Sequence, residues 1–319
     1  MLIKIRKTGR ILMNTITEIQ QEILRLKQEK DICILAHSYE AHEILEIADI
    51  TGDSYALSVK ARSVNSKTVI MCGVRFMAET VKILSPDKTV ILATPEAGCE
   101  MADMMDKELI SKVKAEYPDY TVVAYVNTTA SLKSICDVCV TSSSAVNVVR
   151  NIDNKNILFI PDANLGAFVA ESLPEKNIKL LDGCCPIHAS VSAEDVMKAK
   201  KLHPDALVLV HPECRPDVVE LADFVGSTAD IMKFTRESEN KSFIIGTEMS
   251  IAEHLQYEFS DKMFYPLSDK LMCRNMRLTT LVDVLNAMKN IGGEEIVLDD
   301  ETICSAKKCI DEMIRLNHE

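Results

Sequence analysis

DICILAHSYE (residues 31–40), TVVAYVNTT (121–129) and ALVLVHPEC (206–214) follow one plan: an apolar run rich in Val, Ile and Leu that closes on two polar or aromatic side chains. Such runs, bounded by turn-forming residues, read as buried strands. The closing pairs are His37 with Tyr39, Tyr125 with Asn127, and His211 with Glu213. Side chains two apart on an extended strand point to the same side, so each pair is expected to project together. The copies are offset by 88 and 86 residues.

Three further landmarks recur in the same order. A polar turn appears as GDS ending at Ser54, as TSSS containing Ser142, and as GST containing Ser227. A second strand and turn appear as VIMCGVRFMAE (69–79), LFIPDANLGAF (158–168) and FIIGTEMSIAE (243–253). A third appears as VILATPEAGCEM (90–101), IKLLDGCCPIH (178–188) and MFYPLSDKLMCRNM (263–276), with Cys99, Cys185 and Cys273 in the loops at offsets of 86 and 88 residues. Ordered landmarks at one period mark an internal repeat. The expectation is an α/β protein of three similar small units with parallel sheets, related by a pseudo-three-fold axis. Ligands bind beyond the carboxyl ends of strands in open α/β sheets, so the active site is expected at a shared centre. The expected division is an N-terminal extension and helix (1–28), units at 29–117, 118–203 and 204–291, and a C-terminal helical segment (292–319) packing on the body.

Composition narrows the functional classes. The 319 residues are 47% hydrophobic and 26% charged, with a formal net charge of −12, which opposes general affinity for nucleic acid or an anionic membrane. Mean hydropathy is +0.04 and no apolar run is long enough to span a bilayer. The sequence has no GxGxxG, Walker A or GxSxG motif. The basic N-terminal stretch lacks the apolar length and Ala-x-Ala site of a secretory signal; it reads as an extension, or as a misplaced start with Met13 the true one, in preference to a membrane-surface helix. Eleven cysteines then point to a reducing, cytoplasmic setting.

Three equivalent cysteines converging from three units point to a metal centre. A structural zinc site wants a fourth protein ligand, and a three-fold plan supplies no equivalent one. A 4Fe-4S cluster held by three cysteines leaves one iron open as a Lewis acid. Cys184 competes with Cys185, and the offsets favour Cys185. The remaining cysteines, Cys33, Cys72, Cys136, Cys139, Cys214, Cys304 and Cys309, read as packing residues, the CxxC at 136–139 included.

The motifs AHSYE (36–40), GDS (52–54), YVNTTA (125–130), VTSSSAV (140–146), PDANLG (161–166), GCCPIH (183–188), HPEC (211–214), GST (226–228), IGTE (245–248) and CRNMRLTTL (273–281) together resemble the quinolinate synthase family of de novo NAD biosynthesis. The resemblance runs from about Thr15 to the C-terminus. It implies the three-fold fold, a 4Fe-4S cluster on Cys99, Cys185 and Cys273, and condensation of iminoaspartate with dihydroxyacetone phosphate to quinolinate, with loss of phosphate and water. It places His37, Ser54, Tyr125, Asn127, Ser142, His211, Glu213, Ser227 and Thr228 around the substrate. Tyr39, Glu213, His211 and His37 become the acids and bases, with Glu213 and Tyr39 moving the protons. An aspartate-oxidising enzyme is the implied supplier of iminoaspartate. Ser38 and Glu40 stand where many members carry a bulkier residue and Gln, and Arg277 stands where Lys is common; these departures touch substrate geometry, not the reaction.

Overall fold

The computed structural model describes residues 2–318, the side chains of residues 2–14, Tyr55 and Ser58 apart. The basic stretch around the expected start at Met13 therefore lies outside the described side chains. In chain order the first segment runs α1 (Leu2–Glu29), β1 (Ile32–His37), α2 (His42–Leu45), β2 (Ile50–Gly52), α3 (Ser54–Ala61), β3 (Thr68–Cys72), α4 (Arg75–Leu84) and β4 (Thr89–Leu92). The second runs α5 (Lys107–Glu116), β5 (Thr121–Tyr125), α6 (Ala130–Lys133), β6 (Val138–Val140), α7 (Ala145–Asn151), β7 (Asn156–Ile160), α8 (Ala163–Ser172), β8 (Asn177–Leu180) and α9 (Pro186–Ala189). The third runs α10 (Ala193–Leu202), β9 (Leu207–Val210), α11 (Pro216–Val219), β10 (Phe224–Val225), α12 (Thr228–Glu237), β11 (Ser242–Gly246), α13 (Ser250–Glu258) and β12 (Met263–Pro266). The chain closes with α14 (Leu281–Met288), β13 (Glu294–Glu295) and α15 (Asp300–Asn317).

The protein is α/β with three mainly parallel sheets, and all three have one strand order: β4-β3-β1-β2, β8-β7-β5-β6 and β12-β11-β9-β10. Only the first gains a fifth strand, β13, antiparallel to β4. Gly293, at a φ of +74° that side chains rarely adopt, makes the turn into it.

The same local ties recur in each sheet. A carboxylate just before the second strand accepts the backbone N–H of a first-strand residue at 2.8 Å: Asp49 from Ile34, Asp137 from Val122 and Asp223 from Val208. A lysine on the preceding helix joins that carboxylate and a nearby carbonyl: Lys27 with Asp49 and Ile47, Lys114 with Asp137 and Ile135, Lys200 with Asp223 and Leu221. A second lysine, just before the fourth strand, bonds two carbonyls of the segment that leads into the third: Lys88 to Val64 and Ser66, Lys176 to Ile152 and Asn154, and Lys262 to Thr235, in the last turns of α12, and Ser238. These ties satisfy carbonyls and amides that short edge strands leave without ladder partners. They also attach α5 and α10 to the sheet that follows, whereas the sequence-based boundaries leave each with the unit before.

The chain forms two compact units. One comprises the chain up to Gly52, Ala56–Gly98 and Arg274–Val297; the other comprises Asp53–Tyr55, Cys99–Cys273 and the chain from Leu298 onward. In the first, Ile23 and Leu26 of α1 and Leu281, Val284 and Met288 of α14 bury against Ile32, Ile34 and Ile70. In the second, α15 lays Ile303, Ala306, Ile310, Met313 and Leu316 against α6, α7 and β6. Spacings of three and four residues put these on one helix face. Burial of Cys33, Cys72, Cys136, Cys139, Cys214 and Cys309 agrees with their reading as packing residues, while Cys304 is exposed. Cys139 and Cys309 touch, Sγ to Sγ at 3.0 Å, between β6 and α15.

Candidate active site and metal centre

Cys99, Cys185 and Cys273 all belong to the second compact unit, each in the loop after the fourth strand of its sheet. Cys185 is the N-cap of α9, with Pro186 in the first turn. Its loop is drawn tight by the N–H of Ala163 donating to the Gly183 carbonyl at 2.7 Å. A Cβ at Gly183 would strike the Pro161 carbonyl, so the GCCPIH turn needs glycine there. None of the three is in a disulfide. Burial, with smaller contributions from the nearby Cys273 and Glu213, lifts the Cys99 thiol to about 12 against the backbone N–H groups of Ala102 and Met101. Burial, Glu213, Asp162 and Cys99 push Cys185 well up. Cys184 is raised by burial, Asp162 and Glu213.

Beside Cys185 lies a buried polar cluster drawn from two sheets. Tyr125, the last residue of β5, donates its hydroxyl to Glu213 Oε1 at 2.5 Å. His188 Nδ1 is 3.0 Å from Glu213 Oε2 and 3.3 Å from Cys185 Sγ, and its Nε2 is 3.0 Å from Thr247 Oγ1. His211 stacks on His188 with centroids 4.8 Å apart. Asn164 Nδ2 donates to the Glu213 carbonyl at 3.1 Å. Burial pushes the Glu213 carboxyl up, but His188, with hydrogen bonds from His188 and Tyr125, pulls it below the usual carboxylate range. Burial lowers His211 to about 4, against the pull of Glu213. Burial and the Glu213 charge lift Asp162 to about 7. A buried carboxylate with an imidazole and a phenol in contact can relay protons. The ligand atoms of Cys185, His188 and Glu213 lie within 4.8 Å of one another, a group suited to a metal ion.

Two of the pairs at the first-strand ends, His37 with Tyr39 and His211 with Glu213, come together, but strand alternation is not the reason. The first strands of these two sheets stop at His37 and Val210, and a turn follows. The N–H of Tyr39 donates to His37 Nδ1 at 3.2 Å, and Glu213 N–H does the same to His211 Nδ1. The N–H groups of Glu40 and Cys214 then close the turns on the carbonyls of His37 and His211 at 3.0 Å. The outcome is an edge-on contact of the His37 and Tyr39 rings at 4.5 Å, and His211 Nδ1 at 3.8 Å from Glu213. His37 and Tyr39 lie in the first compact unit, as does Glu40, which is fully buried.

The polar-turn residues divide by role. Ser54 opens α3. Ser142 sits half-buried just beyond β6, and Asn127 carries a buried Oδ1 that has no hydrogen-bond partner among the described residues. Ser227 is the N-cap of α12, its hydroxyl bonded to Asp230 at 2.6 Å. The strand registers His37↔Gly52 and Tyr125↔Val140, with Gly226 N–H on the Val210 carbonyl, make Thr228 the counterpart of Ser54 and Ser142. Sequence offsets of 88 and 85 pointed to Ser227; the hydrogen-bond register shows that the cap and the equivalent hydroxyl are adjacent residues.

Sequence reasoning gave no site role to His188, Thr247, Asp162 or Glu248. Their signal was present: GCCPIH, PDANLG and IGTE carry them, and Asp162 and Glu248 stand 86 residues apart, the repeat's own spacing.

Comparison with known proteins adds an independent line. The family model described as quinolinate synthetase A protein matches residues 21–315. The chain is 47% identical over 302 residues to a quinolinate synthase of Caldicellulosiruptor saccharolyticus, covering 95% of this chain and 99% of that one. It is 47% identical over 283 residues to a quinolinate synthase of Clostridioides difficile, covering 89% and 93%. It is 44% identical over 299 residues to quinolinate synthase 2 of Methanosarcina acetivorans, covering 94% and 96%.

Proposed function

Because this chain belongs to the quinolinate synthetase A family, we propose that it condenses iminoaspartate with dihydroxyacetone phosphate to quinolinate, releasing phosphate and water, with a 4Fe-4S cluster on Cys99, Cys185 and Cys273. The observation that carries the proposal is the buried Tyr125–Glu213–His188 cluster in contact with Cys185, with Cys99 and Cys273 in the equivalent loops of the same compact unit. The donor set fits the group: three soft sulfur ligands, of which burial keeps Cys99 and Cys185 protonated until a metal displaces the proton. When bound, a cluster with three protein ligands supplies an open iron that acts as a Lewis acid.

The side chains supply the rest. Glu213 accepts and returns protons, with Tyr125 and His188 holding its two oxygens in place. His211, kept neutral by burial, can accept a hydrogen bond or donate one without adding charge. Ser54, Ser142, Asn127 and Thr228 offer neutral donors to carboxylate and phosphate oxygens. Ser227 acts through the cap that sets Thr228. The roles of His37 and Tyr39, as base and second proton carrier, rest on the AHSYE motif. The three-fold relation among the segments stays part of the proposal, supported by their common strand order. Among the described residues no helix is long and apolar enough to cross a membrane. We place the enzyme in the cytoplasm, supported by its free thiols, and infer an aspartate-oxidising enzyme as supplier of iminoaspartate.

A second reading is favoured by one observation, the compact Cys185–His188–Glu213 group: a single zinc ion held by S, N and O donors with a fourth position open. The test of the first reading is to supply anaerobically reconstituted protein with iminoaspartate and dihydroxyacetone phosphate. Quinolinate and phosphate formed in equal amounts support the proposal; phosphate release without quinolinate, or neither product, contradicts it.

A further inference from the structure

We infer that Asp162 and Glu248 are positioning residues that pin the backbone of two of the three cysteine loops. The inference rests on the reading that Cys185 and Cys273 hold the cluster. Each acid stands two residues beyond the third strand of its sheet, and each is 0% exposed. Each divides its oxygens between a helix start and a cysteine. Asp162 Oδ1 accepts the N–H groups of Asn164 and Leu165 at 2.9 Å, capping α8, while Oδ2 accepts the N–H of Cys185 at 3.0 Å. Glu248 Oε2 accepts the N–H of Ser250 at 2.9 Å and the Ser250 hydroxyl, while Oε1 accepts the N–H of Cys273 at 3.3 Å.

The first sheet breaks the pattern. The equivalent residue is Val74, which caps α4 with no side-chain bond. The Cys99 loop relies instead on its own turn: Asp103 N–H donates to the Cys99 carbonyl at 3.1 Å, and the N–H groups of Met101 and Ala102 point to the thiol. A helix cap alone would be met by Ser, Thr or Asn without burying an acid near thiolates. The second oxygen reaching a cysteine N–H in both sheets is what a cap does not need. A carboxyl group offers two acceptor oxygens, one for each tie, and so fixes the Cα of the ligand residue while still serving the helix start. Partners that orient a ligand in this way alter metal affinity about 10- to 100-fold when removed.

The experiment loads protein anaerobically with ferrous iron and sulfide and follows iron release to a chelator. Asp162→Asn and Glu248→Gln are predicted to release iron about 10- to 100-fold faster than the parent protein, with unchanged circular dichroism. Asp299→Asn, which makes the same carboxylate-to-amide change at the helix cap of α15 far along the chain, should release iron at the parent rate. Asp162→Glu and Glu248→Asp, each taking the acid of the other sheet, should recover most of the retention. Release within about twofold of the parent in both amide variants overturns the inference. Amide hydrogen exchange on the unsubstituted apoprotein tests it without any variant: Cys185 and Cys273 should be protected and Cys99 less so, and equal exchange at all three overturns it. A parent protein that takes up no iron refutes the cluster reading itself, and the exchange data then still judge the loop ties separately.

Discussion

Glu213 stands where the two metal readings part. If it is a proton carrier beside a three-cysteine cluster, Glu213→Gln keeps the shape of the Tyr125 and His188 contacts and removes the base. Turnover should fall on the order of 10²- to 10⁴-fold while iron and sulfide content stay at the parent level. If it is a ligand of a lone zinc with Cys185 and His188, bound metal is lost together with turnover. Tyr125→Phe should lower turnover less, because it removes only one of the two bonds that orient the carboxylate; a loss equal to that of Glu213→Gln would make the phenol itself an essential acid. At this scale the placement of the three cysteines in equivalent loops was legible, because loop cysteines at a shared period stand out. His188 and the two acids were not, because a polar residue at a helix start is usually a cap. Their second contacts appear only when the loops are folded.

At the scale of elements, the long strands announced themselves and the short ones did not. β1, β3, β4, β5, β7, β8, β9 and β11 all fall on the apolar runs, whereas β2, β6 and β10 are only two or three residues long. Runs that short carry no periodicity. What marks them is the acid placed just before them and bonded to the neighbouring strand's backbone. The lysine before each fourth strand is another tie invisible to pattern reading. Lys262 is the sharpest case: 5% exposed, bonded to the carbonyls of Thr235 and Ser238, and 5.1 Å from the Phe259 ring centre. Lys262→Met fills the space but leaves two carbonyls with weaker partners. It should reduce stability by about 1–3 kcal/mol, read as a lower midpoint in chemical denaturation. A midpoint unchanged from the parent would show that the tie contributes nothing net.

Over the whole molecule, repetition made most of the plan readable. Three segments with one strand order follow from four landmarks at one spacing. The sequence did not reveal that the chain gathers into two compact units, because the segment at Arg274–Val297 joins the first across a long interval. It enters through α14 on the core of α1 and through β13 on β4, contacts with no counterpart in the repeat. All three cysteines fall within the larger unit. A group bound there stabilises the native chain by mass action. The loaded protein is therefore predicted to unfold at a higher temperature than the chelated apoprotein, with the gap abolished in Cys185→Ser. The central claim is tested most directly by iron, sulfide and zinc analysis after anaerobic reconstitution of the parent protein and of Cys99→Ser, Cys185→Ser, Cys273→Ser and Cys184→Ser. The account predicts about four irons and four sulfides per parent chain, lost in the first three variants and kept in the fourth. One zinc without sulfide, or a cluster that survives any of the first three substitutions, would contradict it.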